Sequence, residues 1–171
     1  MAPPKQLPHR IIQSAQVGSI LLRRLIAESR VRETSEIAEP DIQVGYSSRL
    51  AKRRPKSGFW ILVGAEVVVK DTARSAPESA VRIAADVEIR YDLPDELVAT
   101  DEELTAFGDT NAILNAWPYL REIIHTTSLR MGLPPLLLPL FRLSGPPVSA
   151  TATGAKAHKG NSKKRVSTGK G

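Results

Sequence analysis

The rest of the chain is arranged around residues 111–143, which read NAILNAWPYLREIIHTTSLRMGLPPLLLPLFRL. In the first part, apolar residues recur at three-, four- and seven-residue steps, the spacing of one face of an amphipathic helix. They are Ile113, Trp117, Leu120, Ile124 and Met131. Asp109 or Thr110 can cap this helix, and Pro118 either kinks it or marks its first turn. Gly132 and the two prolines that follow it predict the end of the helix.

The segment after this predicted helix is rich in leucine and interrupted by proline, so neither a regular helix nor an ordinary strand can form there. Its apolar residues are Leu133, Leu136, Leu137, Leu138, Leu140 and Phe141. Such a segment either buries its side chains under its own domain or offers them to a partner as an apolar surface.

These residues carry a resemblance to a known family. WPYLREII (117–124) followed by RMGLPPLLL (130–138) resembles the SecB export chaperones, in which a helix containing an aromatic-Pro-Tyr-x-Arg-Glu run precedes a segment of Gly, Pro and Leu. The acidic approach DEELTAFGDTN (101–111) resembles the actinobacterial SecB-like members, some of which accompany toxin–antitoxin pairs.

The resemblance implies a chaperone that holds unfolded polypeptides, either preproteins for export or an aggregation-prone antitoxin. It implies a homotetramer, a dimer of dimers with the long helices at the interface, where Trp117, Leu120 and Ile124 would lie. It also implies an apolar client-binding groove. On one wall this groove would have Leu133, Leu136, Leu138, Leu140 and Phe141, and on the other Ile37 and Ile42.

The earlier part of the chain predicts an antiparallel sheet. Residues 31–39 alternate loosely and predict an edge strand, and residues 41–50 alternate more clearly. Residues 59–69 are apolar on both faces, as in a central strand, and residues 80–92 have one apolar and one charged face. Strands followed by a long helix define an α+β class with a four-stranded antiparallel sheet.

The two ends of the chain differ from this middle part. Apolar residues from Ile11 to Ile26 fit a helical stripe, so residues 10–28 predict an added N-terminal helix. The chain therefore divides into a disordered N-terminus (1–9), one SecB-like domain (10–143) and a disordered C-terminal tail (144–171).

Charge is concentrated in that tail. Six of the 24 Lys and Arg residues lie after residue 143 with no acidic residue among them, which leaves 18 against the 18 Asp and Glu of the preceding chain. A basic tail allows a second interpretation, a nucleic-acid- or ribosome-associated protein, with binding that is weak, non-specific and salt-dependent. The basic turn AKRRPKSG (51–58) can contact phosphates, although solvated charge at a hairpin tip is the commoner case.

Several classes of function are disfavoured. Cysteine is absent, and there is no nucleophile or phosphate-binding glycine motif, so we expect no catalytic residues, no cofactor and no enzyme activity. His125 is a lone helical histidine without an evident nucleophile, and three dispersed histidines do not predict a metal site. No apolar run is long enough to span a membrane, and no secretory signal is evident, so a cytoplasmic protein without membrane insertion is expected.

One further partner follows from the family. The export chaperones dock on the SecA motor through an acidic sheet face. The corresponding face here mixes Arg82 and Arg90 with Asp86 and Glu88. This mixture disfavours SecA and favours an antitoxin-linked or general holding role.

Overall fold

The computed structural model of the chain describes residues 9–54, 58–73 and 79–141. The elements in chain order are α1 (His9–Ser14), β1 (Gln16–Ser29), β2 (Pro40–Arg54), β3 (Gly58–Asp71), β4 (Ser79–Asp92), α2 (Asp101–Phe107) and α3 (Ile113–Arg130). A 3₁₀ turn lies at Thr34–Glu36, and a π-helical turn at Gly108–Ala112 joins α2 to α3. The predicted tail at 144–171 and the tip of the basic turn lie outside the described residues.

All four strands form one antiparallel sheet in the order β1-β4-β3-β2. The two long apolar strands predicted from the sequence, β3 and β4, are the central pair, while β1 and β2 each have one unpaired edge within the described chain. Helix α3 packs on β4 and β3. The predicted α+β class, with a four-stranded sheet, a long helix after it and a helix at the N-terminus, is confirmed.

The core lies between the sheet and α3, because both central strands direct one set of alternate side chains toward the helix. Phe59 pairs with Tyr91 across the strands, Ile61 with Ile89, and so on along the sheet. These side chains are buried. The rings of Phe59 and Tyr91 stack with centroids 5.1 Å apart.

The stretch predicted as a long N-terminal helix is a helix only at its beginning. It ends at Ser14, and residues 16–29 are the edge strand β1. Register shifts occur between Val17 and Ser19 and between Leu22 and Arg24, so an extra residue enters the strand at each point. The residues opposite the buried face of β4 consequently follow steps of three and two, which imitates helical spacing. They are Val17, Ile20, Leu22, Leu25 and Ala27.

The prediction of an edge strand at 31–39 is wrong, because this stretch contains a 3₁₀ turn instead. The Glu36 carboxylate accepts hydrogen bonds from the backbone N–H groups of Arg32 (2.8 Å) and Glu33 (2.9 Å). Those donors are therefore satisfied locally by a side chain rather than by a neighbouring strand.

The long helix begins earlier than predicted. Thr100 is the N-cap of α2: Glu103 N–H donates to Thr100 Oγ1 (3.2 Å), and Thr100 N–H donates to the Glu103 carboxylate (2.9 Å). This is a capping box. Asp109 and Thr110, the predicted caps, lie inside the continuous helical run, and Pro118 lies within α3. Ser48 Oγ donates to Asp109 Oδ1 (2.8 Å), which ties the π turn to β2.

The predicted helix end is confirmed. Gly132 has φ +72°, the left-handed conformation that glycine adopts without strain. Its N–H donates to Leu129 O (3.0 Å), and Leu133 N–H donates to Ser128 O (3.0 Å). This hydrogen-bond pattern is the Schellman motif, and it reverses the chain so that the leucine-rich segment returns toward the helix that precedes it.

Candidate functional site

The leucine-rich segment, residues 133–141, has no regular secondary structure, but it is hydrogen-bonded to α3 at two positions along the helix. Near the end of the helix, Leu136 N–H donates to Ser128 Oγ (3.1 Å). Closer to the start of the helix, Trp117 Nε1 donates to Pro139 O (2.7 Å). Three prolines remove backbone donors and restrict φ, so an irregular path is held with few backbone hydrogen bonds.

An aromatic cluster joins the end of this segment to the edge strand β2. The ring centroids of Tyr46 and Phe141 are 5.2 Å apart, those of Tyr46 and Trp117 are 5.8 Å apart, and those of Trp117 and Phe141 are 5.3 Å apart. Tyr46 meets both other rings edge-on, a favourable aromatic geometry. Although it makes these contacts, Tyr46 is 48% exposed. The segment therefore lies beside β2 and leaves an aromatic face open next to it.

Exposure differs sharply among the leucines of this segment. Leu138 is 2% exposed and belongs to the core, whereas Leu137 is 65% exposed and Leu140 is 70% exposed. Leu133, Leu136 and Phe141 are half-buried and pack against the core. Leu138 therefore anchors the segment, although the sequence placed it with the surface residues. Leu137, which was absent from the predicted groove, is one of the two leucines that face solvent.

The predicted opposite wall consists of one residue of β2, Ile42, and one residue just before that strand, Ile37. Ile42 is half-buried, and it is on the same face of β2 as Val44 and Tyr46, opposite buried positions of β3. Ile37 precedes the strand and is also half-buried against the core. Tyr46, on that same face, contacts the leucine-rich segment through the ring of Phe141. We name the surface of Tyr46, Leu137, Leu140 and Phe141 the apolar surface.

The predicted subunit-interface residues on α3 are buried within their own chain. Trp117, Leu120 and Ile124 all belong to the core of the single chain, where they pack on the sheet. The apolar side chains that α3 leaves exposed are Leu114, Tyr119 and Leu129. These three, rather than the buried set, have surface available for contact with another chain.

A second exposed apolar region, on β1, was missed by the sequence analysis. Val17, Leu21, Leu22 and Leu25 are all about half exposed. Leu22 and Leu25 face the helix side of the sheet, and Leu21 faces the other side, because it lies opposite Glu88. The β-bulges hid this strand, so its leucines were assigned to a helix. An edge strand that exposes leucines on both faces is unusual for a solvent-facing edge.

The sheet face away from α3 is largely neutralised by ion pairs on the β1 and β4 side. Arg23 binds Glu88, and Arg24 Nε lies 2.7 Å from the Asp86 carboxylate. Arg82 Nε lies 2.6 Å from the Glu66 carboxylate. The mixed charge predicted for this face is present, and most of its acidic groups have a cationic partner.

The groups with shifted pKa values, which include Glu103 and Tyr91, lie outside the apolar surface. Arg10 of α1 forms a two-point ion pair with Glu103 of α2, with nitrogen–oxygen distances of 2.9 and 2.6 Å. Hydrogen bonds from Arg10, together with a backbone hydrogen bond at Thr100, lower the pKa of Glu103. Burial raises the pKa of Tyr91 to about 12, although a hydrogen bond from Asn115 acts in the opposite direction.

Across the described ranges, no group of three or more His, Asp and Glu side chains is placed to hold a metal ion. No helix within the same ranges is both long and apolar enough to cross a membrane. His125 Nδ1 is buried and finds no hydrogen-bond partner among the described residues. A cleft beneath the loop after β4, lined by Arg54, Phe59 and Leu97, contains no residue of the apolar surface.

The sheet order, the long helix and the returning leucine-rich segment together define a SecB-like fold. The chain is similar to the solved structure of the Mycobacterium tuberculosis Rv1957 SecB-like chaperone in complex with a ChAD peptide from the Rv1956 HigA1 antitoxin. The TM-score is 0.69 and the sequence identity 23%, and the match covers 82% of this chain and 99% of that one. The fold expected from residues 101–138 is thereby confirmed.

A weaker likeness is to a protein of unknown function from Streptococcus agalactiae, with a TM-score of 0.43 and 12% identity, over 74% of this chain and 97% of that one. The sequence matches no protein-family model and no curated protein.

Proposed function

We propose that this protein is a chaperone that holds unfolded or aggregation-prone polypeptides on its apolar surface without using a nucleotide. The observation that carries the proposal is the exposure of two leucines, Leu137 and Leu140, on a segment whose backbone is hydrogen-bonded to α3 and whose Phe141 ring packs on β2. Exposed apolar side chains on a rigid frame bind a partner without first having to be ordered.

The chemistry of this surface suits unfolded chains. Tyr46, Leu137, Leu140 and Phe141 offer apolar and aromatic area with few polar groups to select a sequence, so binding depends on the apolar content of the client. The half-buried residues Leu133, Leu136, Ile37 and Ile42, which pack against the core, would extend this surface. Binding of this kind lowers the free concentration of the unfolded client by mass action, which requires no chemical energy.

The class of client is supported by the comparison. The M. tuberculosis protein of similar fold is described as a chaperone in complex with a peptide from an antitoxin. For the present chain we propose the same general class, a polypeptide segment, with an antitoxin or a preprotein as the natural client. SecA is not favoured, because Asp86 and Glu88 on the sheet face are paired with arginines rather than free.

We further propose that the protein assembles into a homotetramer. Two regions support association: the unpaired edge of β1 with its exposed leucines, and the exposed apolar residues of α3. Pairing of β1 with another chain would satisfy the free backbone groups of the edge and cover apolar area. Sedimentation of wild type and of a Leu22→Asp, Leu25→Asp variant tests this, since the variant is expected to sediment as a smaller species.

The chaperone proposal is tested by aggregation of a chemically unfolded test protein, measured by light scattering with stoichiometric chain and no nucleotide. Wild type is expected to suppress the scattering. A Leu137→Ser, Leu140→Ser variant is expected to fold normally and to lose most of the suppression.

The matched control is Val98→Ser. Val98 is 73% exposed and lies in the loop after β4, outside the apolar surface. The Val98→Ser variant loses an exposed apolar side chain, as the leucine variant does, but outside the apolar surface. Its suppression of aggregation should therefore equal that of wild type. Absence of suppression by wild type would refute the proposal. Equal loss in the control and the double variant would show that the apolar surface is not the site.

A further inference from the structure

A group of cations surrounds a tryptophan on the sheet face that points away from α3. Trp60 of β3 lies directly opposite Lys52 of β2, and its neighbours along the strand, Phe59 and Ile61, point to the core. The Lys52 ammonium is 5.7 Å from the centroid of the Trp60 ring, and the Arg54 guanidinium is 5.5 Å from it. Both distances are within the range of cation–π contacts.

Arg49 extends this group along β2. It lies opposite Leu62, which is on the same face as Trp60, because the register shift after Leu50 keeps Arg49 and Lys52 on one side of the strand. We name Arg49, Lys52, Arg54 and Trp60 the Trp60 patch. Its three cations are exposed.

The cations of the patch differ from others on the same face. Arg23, Arg24 and Arg82 each have a carboxylate partner. Within residues 9–54, 58–73 and 79–141, by contrast, the three cations of the patch have none. Three neighbouring like charges repel one another. Because no carboxylate of the described residues neutralises them, they attract an acidic group of another molecule.

We propose that the Trp60 patch docks an acidic segment of a partner polypeptide, rich in Asp and Glu. Carboxylates form charge-assisted hydrogen bonds with arginine and lysine, and arginine and tryptophan are the residue types that most often anchor protein interfaces. The site lies on the opposite side of the sheet from the apolar surface, so a docked partner and a bound client would not compete. The proposal stands independently of the chaperone function.

A polypeptide fits the patch better than a nucleic acid does. Single-stranded nucleic acids bind by stacking bases on exposed aromatic faces, whereas cations already lie over the Trp60 ring. Nucleic-acid surfaces also carry broad positive charge, and here the neighbouring arginines of the face are neutralised.

The test measures fluorescence anisotropy of a labelled twelve-residue peptide of Asp, Glu and Gly against the full-length chain, at low and at high salt. Binding is expected at low salt and should weaken as salt rises. A Lys52→Gln, Arg54→Gln variant is expected to bind about tenfold more weakly. Arg49→Gln provides an independent variant, and its binding should also be weaker.

The matched control is Arg23→Gln, which removes the same charge from the same face at a paired position. It should bind like wild type, and all variants should retain suppression of aggregation. No binding of the acidic peptide, or equal loss in Arg23→Gln, would overturn the proposal. Tighter, patch-dependent binding of a single-stranded RNA of similar length would overturn it in favour of a nucleic-acid partner.

Discussion

Replacing Leu140 by alanine tests whether the exposed leucines of the leucine-rich segment contribute to client affinity and the buried one to stability. Full burial of a leucine side chain contributes about 1.5–3 kcal/mol. Because 70% of Leu140 is still exposed in the free protein, covering it with a client contributes about 1–2 kcal/mol, equivalent to about 5- to 30-fold in affinity. The free energy of unfolding should change by less than about 0.5 kcal/mol, since an exposed residue contributes little to it.

Leu138→Ala is the opposite case in the same segment. Leu138 is buried, so its truncation leaves a cavity and is expected to lower the free energy of unfolding by about 2–5 kcal/mol. The two variants remove the same atoms from the same residue type two positions apart. Urea unfolding gives the stability, and anisotropy of a permanently unfolded, carboxymethylated test protein gives the affinity. Equal affinity of Leu140→Ala and wild type, or a large loss of stability in Leu140→Ala, would contradict this prediction.

Three further predictions follow from local geometry. A Cβ added at Gly58, where φ is +131°, would lie 2.1 Å from Tyr91 O. Gly58→Ala should therefore lower the free energy of unfolding, measured in urea, by at least about 1–3 kcal/mol. The control Gly45→Ala, whose Cβ would have no atom within 4 Å, should leave it nearly unchanged. Arg10→Gln should raise the pKa of Glu103, measured by NMR titration. The stability from this lowered pKa is present above the unfolded-state pKa and is lost as pH falls through the folded-state pKa, so wild type should lose more stability over this range than the variant does. Because the pKa of Tyr91 is raised to about 12, wild type should lose up to about 3 kcal/mol as pH rises from about 10 to 12, and Tyr91→Phe should not; an identical alkaline profile for both proteins would contradict this.

The parts of the fold that were predictable are those with an unbroken period. Residues 80–92 alternate without interruption and form β4, and the apolar run at 59–69 lies within the central strand β3. The helix end at Gly132 followed from local chemistry, because a left-handed turn favours glycine. Each of these signals lies within a few neighbouring residues, so the sequence displays it directly.

The two largest errors occur where an irregularity breaks the period of a strand or a helix. Two β-bulges broke the alternation of β1, so its apolar residues imitated a helix. The start of the long helix was placed at Asp109 or Thr110, because the π turn at 108–112 interrupts the helical period, and the true cap is Thr100.

The candidate site was only partly predictable, because it depends on contacts between residues far apart in the sequence. The composition of the leucine-rich segment marked it as an apolar surface, but which leucines face solvent depends on the tie from Trp117 to Pro139 and on contact with Tyr46. These contacts orient Leu138 inward and leave Leu140 exposed. The Trp60 patch depends on the register between β2 and β3, so single-strand patterns could not reveal it.

The most direct test of client binding by the apolar surface uses a photo-crosslinking amino acid at position 140, with an unfolded client and no nucleotide. We expect efficient crosslinking at 140 and little at position 98, which is similarly exposed but lies outside the apolar surface. Absence of crosslinking at 140, or equal yields at the two positions, would contradict the claim that residues 137–141 hold the client.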